Sequence, residues 1–421
     1  MNMKKLKWMT GSLLLASAVL LVPSGCEDEE APALTLVSLT ANDIDLNGSS
    51  SATGVSTSAT IVAEFSTEVD ETTVDAISLI RDYDDAAYDI AVTVDGKTVT
   101  IEPTTTFSTG TLFNLSFGTG LTSTQGKVLT ASIDRTFNTE GTFAVPGAFA
   151  QWTFEDNAND VIGSFDPTAS GIVAVTYAAG RNAASGKAAN FNGTTSIIEI
   201  PNGDQLMNNG SWTMSVWAKA TPHSDNPNKG HFVLGLGAFY GFQFEIFDNY
   251  NAFKLAASWT NGTTKYGEDI WADGEGNLGW QGWTFSKDFR PTGMNAVIKD
   301  KWAHYVFVYD ATAKTATVYL NGEKIKQMDY DNWPDGDAKR TTTGLSYRGV
   351  APEVVNELAI GFVQSRAGTL WDAESWGGYA ATDPVTGVPS AKHFKGLIDD
   401  LVIYHKALPE SEVTLMYNSG K

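Results

Sequence analysis

The chain of 421 residues contains one cysteine, Cys26, which excludes an internal disulfide framework and a cysteine-based zinc site. Histidine is scarce as well, and its five copies form no H-E-x-x-H pair. There is no G-x-S-x-G elbow for a nucleophilic serine. Basic residues are outnumbered, 28 Lys and Arg against 49 Asp and Glu. The resulting net charge of −21 argues against a nucleic-acid partner, because phosphate binding needs a basic surface. Acidic balance alone implies only solubility in a crowded or saline exterior. Long helical periodicity is nowhere evident, which leaves strands and turns to build the fold.

What the chain has in quantity agrees with that. Aromatics make up 11% and glycines number 40, a composition of β structure with many turns, and the length suggests two or three units. Residues 1–25 read as a targeting segment, with Lys4, Lys5 and Lys7 before the apolar run Leu13 to Val22. The segment Val22-Pro23-Ser24-Gly25-Cys26 resembles a bacterial lipobox, which implies that Cys26 is lipidated. Residues 26–33 form an acidic tether. Its run Glu27-Asp28-Glu29-Glu30 resembles the export signal of Bacteroidetes-type surface lipoproteins. The expectation is a lipid-anchored protein of the outer membrane, exposed at the cell surface and touching the membrane through its lipid anchor only.

Residues 34–140 read as a small all-β domain. Ile61, Ala63 and Phe65 alternate with their neighbours at the period of a half-buried strand, and Asp95-Gly96 marks a hairpin turn. Further strands are expected at Thr111 to Phe117 and Ser132 to Phe137. Together with Pro103 and Phe137-Asn138-Thr139, this pattern is similar to bacterial Ig-like spacer domains, which implies a stalk. Residues 141–147 are a linker.

Composition shifts in residues 148–421, and eleven of the twelve tryptophans lie beyond residue 150. An ordered series follows: Gln151-Trp152-Thr153-Phe154, Gly186 to Gly193, Ser211 to Lys219, Trp302 to Asp310 and Ala316 to Lys324. It ends on Gly396-Leu397-Ile398-Asp399-Asp400-Leu401-Val402-Ile403-Tyr404 and Leu408-Pro409-Glu410-Ser411-Glu412-Val413. This series resembles the laminin-G-like (concanavalin A-like) jelly-roll family, with Leu397 to Tyr404 as the closing strand. The fold expected is all-β, an Ig-like β-sandwich followed by a concanavalin A-like jelly-roll sandwich.

A carboxylate in an apolar strand is costly unless it is paired or functional, so Asp399 is a candidate site residue. The resemblance implies a structural Ca2+ tying the opening loop to the closing strand, with Asp156 (or Glu155) and Asp399 as ligands. The alternative is that Asp399 accepts backbone amides or pairs with a basic residue such as Lys395. Two stretches, about residues 250–299 and 362–393, interrupt the family pattern and carry many aromatic rings. Sugars present flat C–H faces ringed by hydroxyls, which suit Trp platforms beside carboxylates. Trp271, Trp280, Trp371 and Trp376 are the expected ligand-binding residues. Catalytic residues are not expected: the Glu-x-Asp-x-x-Glu strand of laminarinase-like relatives is missing, although hydrolysis needs two closely spaced carboxylates. The function expected is noncatalytic, the capture of a polysaccharide or other glycan beside an outer-membrane uptake complex. A protein-binding adhesion module and a glycoside hydrolase are the alternatives.

Overall fold

The computed structural model of the chain describes residues 31–48, 50–278, 281–370, 378–380 and 391–421. In its first part, Ile61–Phe65 is a strand with Ile61, Ala63 and Phe65 buried and Glu64 exposed, as a period of two requires. The hairpin joins Ile90–Asp95 to Thr98–Pro103 around Gly96. Two five-stranded sheets stack over a core that includes Phe65, Phe113, Phe117 and Phe137. The first sandwich is complete by Thr139.

A nine-stranded and an eight-stranded sheet form the second sandwich. Its closing strand, Lys395–Tyr404, lies between Lys187–Asn192 and Trp212–Ala220. The opening strand, Ala150–Trp152, pairs along the same closing strand, Trp152 opposite Leu401. The two ends of the domain therefore meet in one sheet. Ile398, Leu401 and Ile403 enter the core between the sheets, while Val402 and Tyr404 join a separate cluster on the outer face.

Between Ile398 and Leu401 the alternation breaks. The register with Trp212–Ala220 shifts there, and Asp400 takes a φ of +43°. Neighbours in a regular strand point to opposite faces; a bulge lets both Asp399 and Asp400 reach the outer side. Gly396, with a φ of +135°, lies so close to the next strand that a Cβ would stand 1.9 Å from the Lys219 carbonyl oxygen. Only glycine fits there.

The outer face of the nine-stranded sheet is covered. Val306, Val308, Tyr319, Val402 and Tyr404 pack against Phe143 and Val145 of the connecting segment and against Val413 and Met416 of the C-terminal helix, Glu410–Gly420. Tyr83, from the first sandwich, meets Phe143 edge-on with ring centroids 4.9 Å apart. The linker thus packs two of its side chains, Phe143 and Val145, against the second sandwich. Among the described residues, no helix is long and apolar enough to cross a membrane.

Several histidines are enclosed in this sandwich. His304 shares a hydrogen bond of 2.8 Å with the Ser215 hydroxyl and stacks on Trp217 at 4.8 Å. Burial pushes its pKa down to about 3, with Arg181 acting in the same direction. Burial likewise lowers His223 and His393, each to about 4. Each folded value lies below the ordinary 6.5, so the fold binds fewer protons than the unfolded chain in that window. Their contribution to stability is whole above pH 6.5 and lost as pH falls toward 4. Glu245, raised by burial to about 7, works in the opposite direction, as do the raised Asp399 and Glu412, but the lowered histidines, His231 and His405 among them, outnumber these carboxylates. The melting temperature should fall between pH 7 and pH 4.5, and the His304→Gln variant should lose less over the same interval. A melting temperature that is flat or rises on acidification contradicts this account.

Candidate functional site

The eight-stranded sheet ends on the edge strand Lys265–Ala272, and the nine-stranded sheet on Glu323–Asp329 and Trp283–Ser286. Where these edges face one another a cleft of about 700 Å³ opens. Alternation along the edge strand sends Ile270 and Ala272 into the core and leaves Asp269 and Trp271 outside it. Trp271 is 39% exposed, unusual for so large an apolar side chain. Phe247 stacks behind it with centroids 4.5 Å apart and planes 26° apart. Trp283 lines the cleft from the other sheet, with the Lys326 ammonium 4.7 Å from its ring centroid. Two indoles thus face one opening.

Charged groups fix the wall. Lys326 has a side chain only 3% exposed, and it donates to the Asn277 carbonyl at 2.7 Å, Ser286 Oγ at 3.1 Å and Asp273 Oδ1 at 3.4 Å. It pins the turn after the edge strand to the opposite sheet. Burial lowers the Lys326 pKa, while Asp273 and Glu275 hold it up. Lys254 lies between two carboxylates, 2.8 Å from Asp269 and 4.0 Å from Glu245. Glu245 is enclosed, accepts a bond from Gln243 Nε2 at 3.1 Å, and does not line the cleft. Glu268 is ion-paired with Lys339, whose ammonium sits 3.9 Å from the Trp333 ring centroid.

A second charged cluster binds the closing strand. Arg181 Nη1 donates to Asp399 Oδ2 at 2.6 Å, Nη2 to Asp400 Oδ2 at 2.5 Å, and Nε to the Gly420 carbonyl at 2.9 Å. Its guanidinium carbon lies 4.4 Å from the Trp217 ring centroid. The remaining Asp399 oxygen accepts the Asp400 amide at 2.9 Å. One guanidinium faces two carboxylates, so one negative charge is left over. Burial and the adjacent Asp400 push the Asp399 pKa upward, against the pull of Arg181.

Residues 35–139 match the family described as bacterial Ig-like domain, and residues 192–353 match the concanavalin A-like lectin/glucanases superfamily. The chain is a bacterial Ig-like domain followed by a concanavalin A-like domain. No curated protein matches it. The binding domain of Paraclostridial Mosquitocidal Protein 1 is similar at 17% identity, over 65% of this chain and 52% of that one, with a TM-score of 0.41. Domain 4 of the extracellular arabinanase AbnA from Geobacillus stearothermophilus, solved with arabinotriose, matches at 22% identity over 64% of this chain and 98% of its own, with a TM-score of 0.36. The botulinum neurotoxin serotype D ligand-binding domain, solved with N-acetylneuraminic acid, matches at 12% identity over 65% and 50%, with a TM-score of 0.40. The chain spans about half the length of the toxin domains it matches.

Within the concanavalin A-like domain, Asp156 and Asp399 do not form a metal pair. Asp156 projects to solvent and holds Lys187 at 2.5 Å, while both Asp399 oxygens are engaged by Arg181 and the Asp400 amide. Calcium takes six to eight oxygen ligands. Among the described residues, no group of three or more candidate ligands gathers. The Asp156–Asp399 pair therefore does not fit calcium, and a guanidinium stands on Asp399 where the cation was expected; Glu155, the other candidate, accepts the Lys187 amide at 3.1 Å. Arg181 is the partner of Asp399; Lys395, weighed for that role, donates to the Pro222 carbonyl instead. Trp271 lies on the cleft wall, and Trp280, Trp371 and Trp376 lie outside the described residues. The stretch 250–299 is less an excursion than an extension of the sheets, and its Trp259 is core. Phe247 and Lys326 were missed because only folding brings them to Trp271 and Trp283, whereas Asp269 precedes Trp271 by two residues on the same strand.

Removing the Arg181 head group would strand two carboxylates, one fully buried. The Arg181→Met variant should lose about 3–5 kcal/mol, the cost of breaking one side of a buried ion pair, measured by urea unfolding. The wild-type melting temperature should be the same in calcium and in chelator. A calcium-dependent rise of several degrees would return the metal to this cluster.

Proposed function

We propose that this chain is a noncatalytic carbohydrate-binding protein whose concanavalin A-like domain holds a sugar in the cleft beside Trp271. The observation that carries the reading is an exposed indole, backed by Phe247 and faced by Trp283, set among carboxylates at an open sheet edge. A sugar lays its C–H face on such a ring, and its hydroxyls donate to the carboxylates around it. In the fuller reading the ligand is a polysaccharide captured at the cell surface. The protein is held to the outer membrane through lipid on Cys26 and works beside an uptake complex.

Hydrolysis fits the cleft less well. A glycosidase needs an acid and a second carboxylate flanking the scissile bond. Of the two carboxylates that Lys254 links, Glu245 is raised to about 7 by burial, as an acid catalyst would be, but it is shut away from the cleft. Asp269 on the wall is tied to Lys254.

Glycan-array binding followed by titration tests this. Trp271→Ala should weaken binding of the best oligosaccharide by about tenfold or more, the loss expected for an aromatic anchor, with an unchanged melting temperature. No product should appear on prolonged incubation with that oligosaccharide. Capture of a protein partner that ignores both Trp271→Ala and added sugars would favour the adhesion reading, and release of shortened sugars would favour a hydrolase.

A further inference from the structure

The cleft wall is lopsided in its hydrogen-bonding groups. Glu268, Asp269, Asp273 and Glu275 bring four carboxylates to it, and an ionised carboxylate only accepts. Lys326, the one ammonium on the wall among the described residues, is nearly buried and directs its protons to Asn277, Ser286 and Asp273. The cations just behind are engaged too, Lys254 by Asp269 and Lys339 by Glu268. These positive charges hold the wall together, leaving neutral groups such as the Asn251 amide as its donors beside the four carboxylates. Glu275 is exposed, and among the described residues no ion pair engages it. The opening therefore offers acceptors and negative charge beside two indole faces.

We infer that the cleft selects sugars bearing a free amine, of the glucosamine type, over their acetylated and acidic counterparts. The inference rests on the cleft being the sugar site. An ammonium on the ring carries three donors and no acceptor, the complement of this wall. Standing near Trp271 or Trp283, it also gains attraction to the indole face. An N-acetyl group replaces that charge with one amide donor. A uronate or sulfated sugar adds acceptors where acceptors already crowd, and meets a chain of net charge −21. The aromatic floor supplies affinity for any pyranose, and the carboxylates supply the choice among them.

The test uses the full chain in calorimetric titrations at pH 6 with three probes: a glucosamine hexamer, an N-acetylglucosamine hexamer and a galacturonate hexamer. The glucosamine hexamer should bind about tenfold more tightly than the acetylated one, a gap that shrinks in 0.5 M salt. The galacturonate hexamer should not bind. Glu275→Gln should cost the amine probe about threefold, the range of an exposed charge pair, and cost the acetylated probe less. Equal or tighter binding of the acetylated or the acidic hexamer overturns the inference. So does spermine binding as tightly as the glucosamine hexamer and unaffected by Trp271→Ala, which would reduce the preference to bulk charge. Binding of the acetylated hexamer alone, lost in Trp271→Ala, would keep the sugar site and reject the amine preference. No binding by any probe would reject the amine preference, while a glycan-array ligand lost in Trp271→Ala would still keep the sugar site.

Discussion

The second domain hangs on a single guanidinium. Arg181 touches the closing strand at two consecutive carboxylates, the end of the C-terminal helix at Gly420 and the ring of Trp217. These belong to parts of the chain far apart in sequence, and the closing strand they secure lies inside the nine-stranded sheet. Burying such a cluster is costly, and its geometry offsets the cost only because the donors are all directed. The bulge at Asp400 makes this possible. Without it, one carboxylate would point between the sheets, where Ile398 and Leu401 leave no polar partner.

The cleft lies where edges of the two sheets face one another, Lys265–Ala272 of the eight-stranded sheet and Glu323–Asp329 with Trp283–Ser286 of the nine-stranded one. Its geometry follows from two ordinary facts about sheets: a last strand has no neighbour, and its outward residues have nothing above them. Here that exposed edge is guarded rather than left open. Lys326 ties the turn after Lys265–Ala272 across to the other sheet, and acids along the wall discourage pairing with another strand. The groups that keep the edge from associating nonspecifically are the same ones that define what can enter it.

Much of the architecture was legible in the sequence because period-two alternation is a local signal. Ile61 to Phe65 and the Asp95-Gly96 hairpin became the strands their spacing implied, and the run from Leu397 to Tyr404 became the closing strand that the family resemblance implied. The role of Asp399 was not legible. An acid in an apolar strand announces that a partner exists but not which one, and Arg181 is 218 residues away. The resemblance suggested a metal where the structure supplies a guanidinium. The tryptophans show the same limit: Trp259 and Trp271 sit in similar glycine- and asparagine-rich surroundings, yet one is core and the other stands in a cleft. The difference is which face of a strand each occupies, and that is decided by pairing with distant residues.

The packed joint between the two sandwiches has a mechanical meaning. Phe143 and Val145 lie flat on the outer sheet face, with Tyr83 braced against Phe143, and the chain then runs straight into Ala150–Trp152 beside the closing strand. Tension along the backbone from the N-terminal side therefore reaches this packed seam, and the pairing beside the closing strand, before it reaches the core between the two larger sheets.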